Sequence, residues 1–226
     1  SDAVGIVDTD ADGLACEVVL RSKYDNPTVI QANGGSYAIS LTHALDIVSE
    51  NTPEDVPVIL ADLSPDTTFS GLKAGLAKVS NPTYVYDHHD WEWSAKTSIE
   101  CVVDEIVIDD DKCAAQIVLD EIHQNNNEKL REFVNVTADH DLWIKEDERS
   151  DHLSTLSFQL SREEYINAAF EYGADMVVES KRLQGIYGES ERQAQKRAEI
   201  AVNRAEWHNI NGKSVAVTYF DCHQSR

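Results

Sequence analysis

The stretch VGIVDTDADGLACEVVLRSKYDNPTVIQ, residues 4–31, decides the fold class. Gly5 to Val7 and Thr28 to Gln31 are short apolar runs with β-branched residues, the mark of buried strands. Between them, Leu14 to Tyr24 carries apolar residues at helical spacing. Strand, helix and strand in such close succession form the crossover unit that joins two parallel strands.

The alternation continues outward. Val56 to Ala61 and Thr83 to Tyr86 read as further strands, and Tyr37 to Ser49 and Phe69 to Val79 as helices. The class is therefore α/β, a parallel sheet with helices on both faces. Ile99 to Ile108 reads as another strand, after which Asp109 to Asp111 would cap a helix from Lys112 to His123. Gln124 to Asn127 is a polar break; helical patterning resumes at Glu128, carries to about Ala138, and gives way to a polar loop from Lys145 to Asp151. From Ser161 the texture is helical, with Glu163 to Tyr172 as one helix and Ala174 to Glu206 as a long one weakened at Gly185 to Gly188. Asn211-Gly212 is a turn signal before an alternating strand, Val215 to Phe220. The expected division is a first domain over residues 1–160, a helical connector over 161–210, and over 211–226 the opening of a second domain that is cut short.

With 226 residues an extended core is affordable. No apolar run approaches the roughly 18 residues that a membrane span requires, so a soluble protein with no membrane partner is expected. The N-terminus, SDAVGIVDTDADG, has no basic region followed by an apolar stretch and no initiating Met, which suggests numbering that begins inside a longer chain. Cys16, Cys101, Cys113 and Cys222 show no CxxC pairing, which argues against a structural zinc site or a disulfide framework and favours a reducing, cytoplasmic setting. Nineteen basic residues against 41 acidic ones give a net charge of -22. Most of such a surface repels nucleic acid and anionic membranes, so a polyanionic substrate needs a local positive feature, which bound divalent cations would supply.

Ligands of a parallel sheet of this type sit beyond the carboxyl ends of its strands. The first strand runs into Asp8-Thr9-Asp10-Ala11-Asp12-Gly13, the third into Asp62-Leu63-Ser64, and the fourth into Asp87-His88-His89-Asp90. Such crowding of like charge is costly without a cation. Carboxylate with imidazole suits manganese, iron, zinc or magnesium. Taken singly, DTDADG reads as a turn with a helix cap and Asp62 as a strand-end cap. A calcium loop is ruled out because the twelfth position from Asp8 is Val19 rather than Glu. The Asp-His-His triplet is much less easily explained by packing or solvation.

DTDADG, ADLSP and DHH, in this order on successive strand ends, resemble the motifs of the DHH phosphoesterase superfamily (RecJ-like and DHH-DHHA1 phosphoesterases), and VTADHDLW is similar to its fourth motif. The resemblance runs from about Val4 to Trp143. It implies a hydrolase of phosphoester bonds that uses two Mn²⁺ ions, or Mg²⁺ in their place. Its substrate would be single-stranded nucleic acid, an oligonucleotide or a nucleotide, cleaved as by a RecJ-like exonuclease or a phosphodiesterase. A pyrophosphatase or exopolyphosphatase-like enzyme and a catalytically dead, nucleic-acid-binding relative are the alternatives. By position the resemblance implies Asp10 and Asp12 as metal ligands, Asp62 as the carboxylate that bridges two metals, and His88 as the imidazole ligand. Asp139 would complete the set, with Asp141 as its substitute, and Asp8 would serve the second metal. Asp87 and His89 would be catalytic, Asp87 orienting the histidines and His89 facing the phosphoryl oxygens. Many members carry a histidine where this chain has Ile6, a departure that bears on the second metal.

Other features have two readings each. Trp91 and Trp93 could stack bases beside the site or pack beneath it. Asn33-Gly34-Gly35-Ser36 could offer backbone N–H groups to a phosphate, or simply turn from strand to helix. Lys181, Arg182, Arg192, Lys196, Arg197 and Arg204 alternate with Glu189, Glu191 and Glu199, which fits a solvated helix better than a nucleic-acid track.

Overall fold

The computed structural model describes residues 2–32, 37–63, 69–123, 127–210 and 213–217. Five strands, β1 (Asp2–Val7), β2 (Asn26–Gln31), β3 (Val58–Ala61), β4 (Thr83–Asp87) and β5 (Glu105–Ile108), form one sheet in the order β2-β1-β3-β4-β5. Every pairing is parallel. Because β2 lies on one side of β1 and β3 on the other, the connections diverge at β1 and β3 and leave a crevice at their carboxyl ends.

Both faces of the sheet are covered, which is why its strands are apolar without strict alternation. Ala3 and Val7 of β1 point into a core shared with α1 (Ala11–Lys23), α5 (Ala114–Ile122), α6 (Glu128–Asp141), α7 (Glu148–Gln159) and α8 (Arg162–Tyr172). Val4 and Ile6 point into the other, against α2 (Tyr37–Asn51), α3 (Phe69–Leu76) and α4 (Trp93–Glu100). Ile6 is therefore a core residue facing away from α1, with Leu60 and Val85 in the same cluster.

Several sequence expectations are corrected by long-range packing. Ile99 is not in a strand: it lies on the inner face of α4 with Ala95, one turn away, and β5 begins only at Glu105. Asp109 to Asp111 do not cap α5. Asp109 accepts the Asp111 N–H at 3.1 Å in a turn, and Cys113 is the N-cap. The expected polar loop is shorter, because Asp147 caps α7 by accepting the Arg149 N–H, and Ser150, Leu153, Ser154 and Leu156 bury one helical face.

The long helix expected from Ala174 is broken at Ser180, not at the glycines. A 3-10 turn, Gly173–Asp175, leads into α9 (Met176–Glu179); Ser180 takes an extended conformation and caps α10 (Lys181–Arg204). Gly185 and Gly188 lie inside α10, whose other residues offset the roughly 1 kcal/mol that each glycine costs. The chain then forms β6 (Glu206–Ile210), paired antiparallel with β7 (Lys213–Val217), so residues 206–210 belong to a hairpin rather than to the helical connector. Tyr165, Ile166, Met176, Val177 and Leu183 are buried in the α1-side core, so the first part of that connector is packed structure. Asn33, Gly34, Asn211, Gly212 and the segment 218–226 lie outside the described residues. Among the described residues, no helix is long and apolar enough to cross a membrane.

Candidate metal centre

The neighbouring ends of β1, β3 and β4 bring the three motifs together, and the C-terminus of α6 closes the fourth side. The β1 end is built around a close approach. A Cβ on Gly13 would lie 2.3 Å from the Asp8 carbonyl oxygen, so the glycine ending DTDADG lets the first turn of α1 fold onto the strand end. Asp10 caps α1 by accepting the Gly13 N–H at 3.0 Å. Asp12, fully buried, accepts the N–H groups of Ala114 at 2.7 Å and Ala115 at 3.1 Å, where the N-terminus of α5 favours a carboxylate.

Asp62 follows β3 with φ +59, in the left-handed region that a non-glycine residue occupies at a cost. Backbone strain of this kind clusters at functional sites. Its side chain is 3% exposed, and its Oδ2 has no hydrogen-bond partner among the described residues. His88 stands at the centre. Its Nε2 is 3.5 Å from Asp62 Oδ1, 3.3 Å from Asp141 Oδ2 and 4.0 Å from Asp12 Oδ2. Asp12, His88 and Asp141 thus form one group able to hold a cation, and Asp62, Asp87, His88 and His89 another.

The fourth motif is corrected within itself. Helix α6 extends to Asp141, so neither aspartate follows the helix. Asp141 continues the inward stripe of Leu130, Val134, Thr137 and Ala138 at helical spacing and faces His88. Asp139 lies farther round the helix and does not join the cluster. Its oxygens accept the N–H groups of Glu146 at 2.9 Å and Asp147 at 3.3 Å, folding the following loop. The stripe itself was the sequence signal that could have separated the two.

Asp87 is also held from within. It is wholly buried; Oδ1 accepts the His88 N–H at 2.8 Å and the His89 ring at 2.7 Å, and Oδ2 accepts the indole N–H of Trp91. Trp91 is therefore not a base platform: it is 8% exposed and anchors Asp87. His89 keeps a 42% exposed side chain with Nδ1 fixed on Asp87. Asp8 accepts from the backbone N–H and hydroxyl of Thr9 and is in neither group.

The electrostatics show the cost of the assembly. Burial first, then the charges of Asp141 and Asp10, push Asp12 up to about 7. Burial and the neighbouring Asp12 and Asp10 raise Asp62 well above the usual carboxylate range, and burial also raises Asp141. For Asp87 burial acts upward too, but the hydrogen bonds from His89, Trp91 and the His88 backbone outweigh it, so its pKa is lowered. The hydrogen bond to Asp87 raises His89. Beyond the carboxylates, Cys113 and Cys16 are buried near Asp12, and burial followed by Asp12's charge pushes both thiols up.

This donor set fits a divalent cation. Asp62 Oδ2 and Asp141 Oδ2 are buried without hydrogen-bond partners among the described residues, and carboxylate with imidazole suits manganese, magnesium, iron or zinc.

No family model and no curated protein matches the chain. Among solved structures, an uncharacterised protein from Helicobacter pylori G27 matches with a TM-score of 0.63 at 19% identity, over 85% of this chain and 62% of that one. The exonuclease RecJ bound to manganese matches with a TM-score of 0.51 at 12% identity, over 89% of this chain and 63% of that one. The chain thus spans just over three fifths of the length of either structure. Together with the parallel sheet and its strand order, these likenesses show that the chain has a RecJ-like fold.

Proposed function

We propose that this chain is a metal-dependent phosphoesterase that hydrolyses phosphodiester bonds of nucleic acid or nucleotides. One observation carries the reading: three strand ends and one helix end converge on His88, with Asp62 Oδ2 and Asp141 Oδ2 buried and without a hydrogen-bond partner among the described residues. Asp10, Asp12, Asp62, His88 and Asp141 would hold the cations, manganese with magnesium as the substitute, and two ions suit a set of four carboxylates. The manganese in the RecJ structure supports that choice. When bound, divalent cations supply Lewis acidity toward a phosphoryl oxygen and lower the pKa of a water.

The chain's own residues do the rest. Asp87 holds His89 by Nδ1, and the elevated pKa lets the imidazole keep its proton and donate to a phosphoryl oxygen as charge develops. Trp91 fixes Asp87 from the opposite side, so His89 is oriented before substrate arrives. In the hydrolysis a water oxygen forms the new P–O bond, the ester P–O bond breaks, and the leaving alcohol takes a proton. Among the described residues Cys16, Cys101 and Cys113 are free thiols, which supports a reducing, cytoplasmic setting.

The test is the purified chain with Mn²⁺ against a short oligonucleotide, a cyclic dinucleotide, an aryl phosphodiester and pyrophosphate. Cleavage of one or more phosphodiesters is expected. Hydrolysis of pyrophosphate alone would reassign the site to phosphoanhydrides, and Mn²⁺ binding without any turnover would make the chain a binding module.

A further inference from the structure

Immediately beyond the metal centre the chain presents a tryptophan that packing does not use. Trp143 is 76% exposed and follows Asp141 by two residues, so their Cα atoms are at most about 7.6 Å apart. Its φ is +58, and that of Lys145 is +61. A bulky side chain in the left-handed region is a costly arrangement, kept only where the surroundings over-determine it.

Here Asp139 does so. Its carbonyl accepts the N–H groups of Ile144 at 3.0 Å and Lys145 at 3.2 Å, while its carboxylate accepts those of Glu146 and Asp147. One buried aspartate thus holds the four residues after Trp143, whose own N–H donates to the His140 carbonyl at 3.1 Å. Two side chains brace the indole. The Lys145 ammonium stands 4.7 Å from the ring centroid, itself bonded to Asp151 at 2.6 Å, and His140 meets the ring nearly edge-on at 6.2 Å. Most of the ring surface still faces solvent, which costs hydrophobic free energy that burial would recover.

We infer that Trp143 is a stacking platform for a ring of the substrate next to the scissile phosphate, so that the site takes base-bearing phosphoesters in preference to bare phosphate chains. The inference rests on the phosphoesterase reading and narrows its substrate class. Stacking suits this chain because it draws nothing from charge, and a protein of net charge -22 repels the phosphate backbone over most of its surface. A π-face accepts any base, so the platform confers tolerance of sequence.

The experiment compares the chain with Trp143→Ala and Trp143→Phe variants on two substrates in Mn²⁺: a short oligonucleotide and the same sugar-phosphate backbone with abasic residues. Trp143→Ala should raise KM for the base-bearing substrate by about ten-fold with kcat little changed, the size of effect that losing one base stack gives. KM for the abasic substrate should stay put, and Trp143→Phe should recover most of the loss. Equal effects on both substrates, or none on either, would overturn the proposal. A second readout needs no turnover: adding adenosine 5′-monophosphate without metal should quench tryptophan fluorescence in the unsubstituted chain and leave the Trp143→Phe signal unchanged. Quenching that persists in Trp143→Phe would also overturn it. Quenching by a chain that hydrolyses nothing would sink the phosphoesterase reading while leaving the platform standing.

Discussion

At the scale of single residues, Asp139 and Asp141 separate two jobs that the sequence VTADHDLW leaves side by side. Asp141 faces His88, whereas Asp139 spends both oxygens on backbone N–H groups of the next loop. Asp141→Ala should weaken Mn²⁺ binding by well over ten-fold, and Asp139→Ala should leave it nearly unchanged while costing about 1–3 kcal/mol of stability. Isothermal titration with Mn²⁺ alongside thermal melts checks both; the reverse pattern would restore Asp139 to the centre. The raised carboxyls give a second prediction. An unfolded chain releases the Asp12 proton near 3.8, but the folded, metal-free chain holds it until about 7. This cluster's contribution to stability is therefore full below the unfolded value and is lost as pH rises through the folded one. Bound cation relieves that loss by offsetting the carboxylate charges. The melting-temperature gap between Mn²⁺-loaded and EDTA-treated protein should widen from about pH 4 to about pH 7, the window these values set. A gap that narrows would contradict the assignment.

At the scale of elements, the helices that follow the sheet are held on α1 by one buried charge. Glu17 is wholly buried and takes Arg162 through both oxygens, at 2.6 and 2.7 Å, while Arg162 also donates to the Val29 carbonyl at 2.8 Å. Arg21 adds a further bond to Glu17 at 2.7 Å and reaches Glu163 at the start of α8. Breaking a buried pair by removing one partner costs about 3–5 kcal/mol. Arg162 and Arg21 are each about 30% exposed and can rehydrate, so Glu17→Ala should cost roughly 2–3 kcal/mol. Urea denaturation followed by circular dichroism measures it, and a cost near zero would mean that apolar packing alone docks α8. These elements were legible in the sequence to different degrees. Strands β1, β3 and β4 announced themselves because burial on both faces demands continuous apolar runs, and β2, half-exposed at the sheet edge, showed through its β-branched residues Thr28, Val29 and Ile30. The Ile99 strand and the weak point at Gly185 to Gly188 were misread because a local apolar pattern does not say which neighbour it will face, and glycine's helix cost is small beside a whole helix.

At the scale of the whole molecule, charge sets the kinetics expected of an anionic substrate. With net charge -22, long-range repulsion opposes encounter over most of the surface, and the proposed cations in the crevice would be the exception. Raising ionic strength at saturating Mn²⁺ should therefore increase kcat/KM for an oligonucleotide, the opposite of a protein that binds nucleic acid through a basic surface. Stopped-time assays over a salt series would read the sign directly, and a fall would reveal a basic track that the charge balance conceals. The sequence by itself determined the sheet, the order of its carboxylate-bearing ends and the convergence of Asp10, Asp12, Asp62 and His88 on one edge. These follow from periodicity and from where parallel strands stop, which are local properties. Only the tertiary structure decided that Asp141 rather than Asp139 faces His88, that Trp91 holds Asp87, and that the N-terminus of α5 receives Asp12 across about a hundred residues of chain. Those choices depend on the rotation of α6 about its axis and the docking of α5 on α1, fixed by packing against partners distant in sequence.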